Sequence, residues 1–376
     1  MDKKLITTIL EHPELQPLRR FLLTTWLTAL APSGKPKAFY AQVQAGYILF
    51  AMSISARKLK HIKVCLEYPV AYTTKTTGFE TVSWAYNALP EMQLEDVQLQ
   101  TSFLGKPLRA PLLIGAMTGG VDFAATINKN LAIAAETLGL GLMLGSQRVM
   151  LENAQVRPSF AVRQYAPNAL LIGNLGVAQF KKGYDATQAK AAIELIGADA
   201  IAFHTNPLQE ALQIGGDTNF SGLIPALEKI VPEVGYPVML KEVGHGISKQ
   251  VAEQIKNVGF AALDVAGAGG TSWAKVEDFA HHGKLLHPDL CELGIPTLEA
   301  LEQCRAALPA MPLVASGGIR SGLDIAKALS KGAAVCAVAL PLLEPATRSP
   351  EAVMEVLERL VFELRVALFV AGKQGL

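Results

Sequence analysis

Chemistry is suggested first by the run Asp264-Val265-Ala266-Gly267-Ala268-Gly269-Gly270-Thr271-Ser272-Trp273, where an apolar segment breaks into glycines and closes on a tryptophan. Glycines let a backbone approach a ligand closely, and successive N–H groups in such a turn cradle an anion. A plain tight turn has the same composition. A second glycine turn, Ser316-Gly317-Gly318-Ile319-Arg320, ends one apolar run and opens a helical pattern. Its N–H groups and the helix terminus suit a phosphate, with Arg320 either adding charge or facing solvent. Lys241 ends another apolar run. An ammonium there needs an anionic or electron-rich partner. It fits a Schiff-base lysine, a cation beside an electron-rich ring such as a reduced flavin, or a salt bridge to Glu242. Adjacent strand residues face opposite ways, which weakens the third.

The densest polar loop holds His204, Asn206, Gln209 and Glu210. Glu210 could ligate Mg2+, a hard cation that takes carboxylate oxygens and keeps water or substrate phosphate as its other ligands; a helix N-cap network around Pro207 is the alternative. Asp217, just beyond, suits a turn as well as a function. Arg148 in Ser146-Gln147-Arg148 is a further cation, and Arg57-Lys58-Leu59-Lys60-His61 reads either as a solvated charge run or as a flexible basic segment that folds over a phosphorylated ligand. Trp273 could wall an apolar substrate tail or pack in the core. Glu277 is a proton donor or a surface helix residue.

The elements that must position these groups follow a regular rhythm. Apolar runs of strand length occur at 111–117, 141–145, 169–173, 200–203, 238–241, 262–265, 313–315 and 334–340. Helical patterns follow them at 127–138, 158–165, 186–196, 220–230, 248–258, 297–307, 323–330 and 351–370. Alternating strands and helices imply parallel pairing, and eight units imply a closed (β/α)8 TIM barrel. An open doubly wound sheet is disfavoured by the count and by the lack of GxGxxG after the first strand. Nearly every polar cluster named above falls just after a strand, on the face where such barrels carry their active sites.

Composition narrows the classes. The 376 residues carry 34 basic and 33 acidic side chains, net +1, so no basic field points to nucleic acid. Four separated cysteines (Cys65, Cys291, Cys304, Cys336) form no CxxC and suit a reducing cytoplasm. No membrane span is expected. Residues 1–51 read differently from the rest: two short helical patterns interrupted by Pro13, Pro17 and Pro32, with no secretory signal. They are expected to be an extension that is packed, weakly anchored or disordered, with Met52 as an alternative start, and 52–376 to be the barrel.

Taken together and in order, Arg57-Lys58-x-x-His61, Met117-Thr118-Gly119-Gly120, Gly145-Ser146-Gln147-Arg148, Asn174-Leu175-Gly176, Asn206-Pro207-Leu208-Gln209-Glu210, Lys241-Glu242-Val243-Gly244, the Gly267–Trp273 run and Ser316-Gly317-Gly318-Ile319-Arg320 resemble the type 2, FMN-dependent isopentenyl diphosphate isomerases. The resemblance spans the chain from about residue 55 onward and leaves 1–51 outside it. It implies an FMN-binding barrel that interconverts isopentenyl and dimethylallyl diphosphate with reduced FMN and Mg2+, NADPH serving as reductant. It implies FMN contacts from Ala116, Met117, Thr118, Ser146, Asn174, Lys241, Thr271, Gly318, Ile319, Arg320, Ala339 and Leu340. Substrate contacts are implied for Arg57, Lys58, His61, Arg148, His204, Asn206, Gln209 and Trp273, with Glu210 on Mg2+ and Gln209, Glu277 and His204 nearest the chemistry. A cytoplasmic homo-oligomer taking a prenyl diphosphate is expected. Thr205, His245 and Ala266 depart from leucine, asparagine and serine respectively; none is assigned to chemistry.

Other readings of the same barrel fit less well, among them an inosine monophosphate dehydrogenase-like one, which needs a nucleophilic cysteine in a strand-end loop where none of the four lies. An FMN-dependent 2-hydroxy-acid oxidase needs a histidine base beside the flavin, and the loop after the sixth strand offers none. A non-catalytic flavin-binding barrel predicts loss of Gln209 and Glu210, and both are present.

Overall fold

The computed structural model describes residues 54–376, so the expectations for residues 1–51 lie outside the described residues. The chain divides after Arg57, and the unit beginning at Lys58 carries the barrel. A short antiparallel hairpin, β1 (Thr101–Phe103) and β2 (Lys106–Leu108), comes first. Eight parallel strands then close on themselves: β3 (Leu112–Ile114), β4 (Gly141–Met143), β5 (Leu171–Gly176), β6 (Ala200–His204), β7 (Val238–Lys241), β8 (Ala262–Asp264), β9 (Leu313–Ser316) and β10 (Val335–Val338). Each overlaps an apolar run expected to be a strand, and the fold is a (β/α)8 barrel.

Side-chain parity explains how this frame makes a site. Successive strand residues face opposite ways, so every second residue points into the barrel. Ile172, Ala200, Ala202, Met239, Ala262 and Val314 pack together there, and Phe103 and Leu108 of the hairpin plug the N-terminal end. One step further along the same inward series stand Asn174, His204, Lys241, Asp264 and Ser316. The barrel interior therefore turns from apolar to polar at the C-terminal end of its strands.

Three sequence expectations are corrected. Residues 158–165 form no α-helix: Pro158 lies inside the 3-10 segment Ala154–Phe160, whose Phe160 is fully buried. The basic run 57–61 is not a flexible segment but part of the helix Ile54–Glu67, which buries Ile62 and Val64. A helix that the periodicity did not suggest, Trp273–His282, follows β8. Ser272 caps its start through Lys275 N, and Gly283 at φ 67° ends it. Beyond the first helix, residues 68–78 run as a strap across the loop after β8. Tyr72 N donates to Gly270 O at 2.9 Å, Ser272 N to Val70 O at 2.9 Å, and Leu298 N to Thr77 O at 2.9 Å.

Candidate active site

His204, Lys241 and Asp264 occupy one rung of the barrel, paired in register across β6, β7 and β8. Lys241 is buried, and its ammonium donates to the backbone carbonyl of Glu242. The Glu242 carboxylate is engaged elsewhere, accepting N–H bonds from Val243 at 2.6 Å, Gly244 at 2.7 Å and His245 at 2.5 Å. The salt-bridge alternative for Lys241 is thereby excluded. Asp264 has no exposed surface. Its Oδ1 accepts from Ser316 Oγ at 2.6 Å and Ala266 N at 3.1 Å, while Oδ2 has no hydrogen-bond partner. Burial raises its pKa above the ordinary carboxylate range against the pull of the Lys241 charge.

His204 Nδ1 lies 2.6 Å from Asn174 Oδ1. An amide oxygen only accepts, so Nδ1 carries the proton and Nε2 the lone pair. Burial, followed by the charges of Lys241 and Lys58, pushes its pKa from 6.5 down to about 3. The imidazole is therefore neutral near neutral pH.

Gln209, on the helix Pro207–Leu212 after β6, donates to Glu277 Oε1 at 2.8 Å. That bond links the loops flanking β7, the strand that carries Lys241. Glu277 lies on Trp273–His282 and is fully buried, which settles it as no surface residue. His61 Nε2 lies 3.2 Å from its Oε1 and His281 Nε2 lies 3.2 Å from its Oε2. Both are ion-pair distances outside hydrogen-bonding geometry, and both ring nitrogens and Oε2 are otherwise unpartnered. Burial alone would raise the Glu277 pKa; the His61 charge and the contacts from His281, His61 and Gln209 outweigh it and bring the carboxyl down to about 2. Trp273 meets His61 edge-on at 5.4 Å and also packs beside Val64, Val70 and Val276. The core reading of Trp273 therefore holds, with one ring edge turned to His61.

Asn206 Nδ2 donates to Gln209 Oε1 and to Glu210 Oε1, both at 3.0 Å. Glu210 Oε2 accepts from Asp217 N at 2.6 Å and Gln213 Nε2 at 3.2 Å. Asp217 in turn receives Arg148 at 3.0 Å, with Lys182 and Gln179 on the same carboxylate. Arg148 also pairs with Glu152 at 2.8 Å. The sequence left Asp217 open between turn and function; it is an ion-pair hub one contact from Glu210.

Around the rest of the rim, Ala116, Met117, Thr118 and Ser146 lie partly open after β3 and β4. Lys58 Nζ donates to Ser146 O at 2.7 Å, and Arg57 stands one residue ahead of it on the first helix. Thr271 pairs with Ala71 of the strap. The glycine turns after β8 and β9 interlock: a Cβ on Gly270 would stand 2.3 Å from Gly318 N, and Gly318 adopts φ +78°. Ala339 caps the helix Leu340–Arg348 on the neighbouring strand end. Arg320 is exposed and folds back on the Ile319 carbonyl at 3.0 Å. Among the described residues no three His, Cys, Asp or Glu side chains form a metal cage, and no helix is long and apolar enough to cross a membrane.

Sequence reasoning missed His281, Tyr72 and Lys275. The i, i+4 spacing of Glu277 and His281 would have exposed the first had the helix been recognised. Tyr72 and Lys275 hold the strap: Tyr72 Oη lies 2.6 Å from His245 Nδ1, and Lys275 Nζ, 2% exposed, donates to Ala71 O at 2.8 Å and pairs with Glu292 at 2.6 Å. Their partners lie far away in sequence, and no local signal marks them.

The barrel, with its buried lysine and interlocked glycine turns at the C-terminal rim, falls by its sequence in the class of flavin-dependent barrel enzymes. The sequence pattern of the FMN-dependent dehydrogenase family matches residues 186–376. In structure the chain is similar to mandelate oxidase solved with (S)-2-phenylpropionate (TM-score 0.57, 19% identity, 85% of this chain and 93% of that one), a likeness of fold. Within the class, the chain is 56% identical to the isopentenyl-diphosphate delta-isomerase of Deinococcus radiodurans over 85% of its own length and 94% of the relative's. It is 53% identical to that of Mycolicibacterium gilvum (87% and 95%) and 44% to that of Oceanobacillus iheyensis (86% and 93%). The chain belongs to the isopentenyl-diphosphate delta-isomerase family.

Proposed function

We propose that this chain interconverts isopentenyl and dimethylallyl diphosphate with reduced FMN and Mg2+, the flavin being reduced at the expense of NADPH. The observation that carries the reading is the buried Gln209–Glu277 pair spanning the loops on either side of the Lys241 strand. Moving the double bond adds a proton at one carbon and removes one from another carbon two atoms away, without net redox. Glu277 carries no proton at neutral pH, so of the two roles in a proton transfer it can take only the acceptor's, not the donor's expected from the sequence. Gln209 fixes its orientation, and Trp273 and His61 close the apolar side.

The rim suits FMN. Buried Lys241 reaches only a backbone carbonyl for its hydrogen bond, which leaves the charge available to an electron-rich ring. Ala116, Met117, Thr118, Ser146, Asn174 and Thr271 would flank that ring. Gly318, Ile319 and the backbone of Arg320, with Ala339 and Leu340, would take the phosphate. Bound and reduced, the flavin supplies ring nitrogens that can carry a proton.

The diphosphate end suits the cations and hard oxygens on the other side of the rim. Arg57, Lys58, Arg148 and neutral His204 would bind it. Glu210 would hold Mg2+ beside Asn206, whose Oδ1 is buried and unpartnered. The enzyme would work in the cytoplasm as a homo-oligomer, with 52–376 as the catalytic unit.

The test is anaerobic incubation of the purified protein with reduced FMN, Mg2+ and isopentenyl diphosphate. Formation of dimethylallyl diphosphate is expected. No turnover in either direction, with reduced flavin bound, refutes the activity.

A further inference from the structure

Glu277 is addressed from two sides. Oε1 meets Gln209 and His61, on the side that the proposed function gives to the substrate, and His61 stands against Trp273. Oε2 faces the opposite way, toward His281 at 3.2 Å. Glu277 itself is wholly buried, but the His281 side chain is 13% exposed. Beyond His281 the rings continue outward. His282 lies 6.3 Å from it and His287 lies 6.3 Å further on. His287 is 44% exposed and its Nδ1 is 2.8 Å from Asp278 Oδ1. Four of the seven histidines of the chain thus surround Glu277 or lead away from it.

The remaining neighbours cannot perform the same task. Gln209 does not ionise. Cys65 is a titratable group within reach of the Glu277 charge, and burial, then that charge, pushes its thiol up to about 12, so it keeps its proton. His61 lies on the substrate side.

We propose that His281 is a positioning residue that acts through Glu277, carrying the proton which Glu277 takes from the substrate out to solvent. This rests on the isomerase reading. In the step concerned, the C–H bond at the inner carbon breaks as the double bond shifts and Glu277 Oε1 gains the proton; the carboxyl then turns to present it to His281 Nε2, whose ring rotates to bring the 3.2 Å contact into line, and the proton passes on to water. The second proton of the reaction, added at the terminal carbon, comes from elsewhere. No electrons are gained or lost. With the relay intact, Glu277 returns to carboxylate after each turnover. Without it, Glu277 returns the same proton to the inner carbon.

The experiment follows both carbons at once. Protein loaded with reduced FMN and Mg2+ converts substrate in deuterated water, and NMR reads deuterium at the inner and terminal carbons of the prenyl diphosphate pool. In His281→Gln, which cannot ionise, label at the inner carbon per isomerisation should fall severalfold while label at the terminal carbon stays unchanged. Imidazole added to the buffer should restore part of the loss at the inner carbon. Equal label at both carbons in variant and parent, or a parallel fall at both without rescue, overturns the relay. Should His281→Gln fail to fold, the unaltered holoprotein carrying 15N-histidine decides: rapid exchange of the His281 Nε2 proton with water supports the relay, and protection of that proton for hours overturns it. A parent protein that binds reduced flavin yet isomerises nothing removes the functional reading instead.

Discussion

Replacing Glu277 with Gln tests the centre of the site at nearly constant volume. The amide keeps an oxygen for Gln209 but places an NH2 group where a charge meets His61 and His281. The magnitude follows from the carboxyl itself, whose pKa falls from 4.5 to about 2 on folding. That difference corresponds to ~3 kcal/mol of stability, and the group is fully buried, so solvent screens little of it. The sign is fixed by linkage. A carboxyl with a depressed folded pKa contributes above 4.5, and the contribution is lost as pH falls from 4.5 toward about 2. Urea denaturation of parent and variant, followed by tryptophan fluorescence at a series of pH values, should show a gap of ~3 kcal/mol at about pH 7 that shrinks by roughly two-fifths at about pH 3.5. Isomerisation should fall by about a hundredfold or more. Equal stability of the two proteins at about pH 7, or a gap that does not narrow with acid, would refute the electrostatic account of Glu277.

Three further perturbations separate the parts of the rim. Lys241→Met should weaken FMN binding by about ten- to a hundredfold, the value of one charge-assisted hydrogen bond, read by flavin titration; unchanged affinity would remove Lys241 from the cofactor site. Glu210→Gln should raise the Mg2+ concentration needed for half-maximal activity while flavin content stays normal, and loss of flavin would show that Glu210 instead supports the fold around Asp217. Deleting residues 1–51 should leave turnover per bound FMN unchanged, and an inactive truncation with full flavin content would show that the catalytic unit extends beyond 52–376.

Much of the frame was legible because barrel strands are short, apolar on both faces and bounded by glycine or polar residues. The helix at 297–307 was read to the residue. The polar ends of those strands were legible for the same reason: Asn174, His204, Lys241 and Asp264 continue an inward-facing series that is apolar until its last member. Local pattern failed where a neighbour decided the outcome. Residues 158–165 looked helical, but Pro158 and the burial of Phe160 produce a 3-10 segment. Trp273–His282 went unread because the glycine run ends at its N-cap. Contacts such as Gln209 with Glu277, 68 residues apart, arise from barrel closure and leave no trace in spacing. The strap was equally hidden, since Tyr72 and Lys275 are tied to His245, Ala71 and Glu292 only through the folded rim.

The central claim is geometric: a flavin ring beside Lys241 and a prenyl diphosphate reaching from Glu210 toward Glu277 share one rim. A crystal structure of the protein with FMN, Mg2+ and a prenyl diphosphate tests it directly. The account predicts the ring against Lys241, the flavin phosphate at Gly318 and Ile319, and the prenyl carbons between the ring and the Gln209–Glu277 pair. A flavin bound away from Lys241, or a prenyl chain lying on the far side of the ring from Glu277, would contradict it.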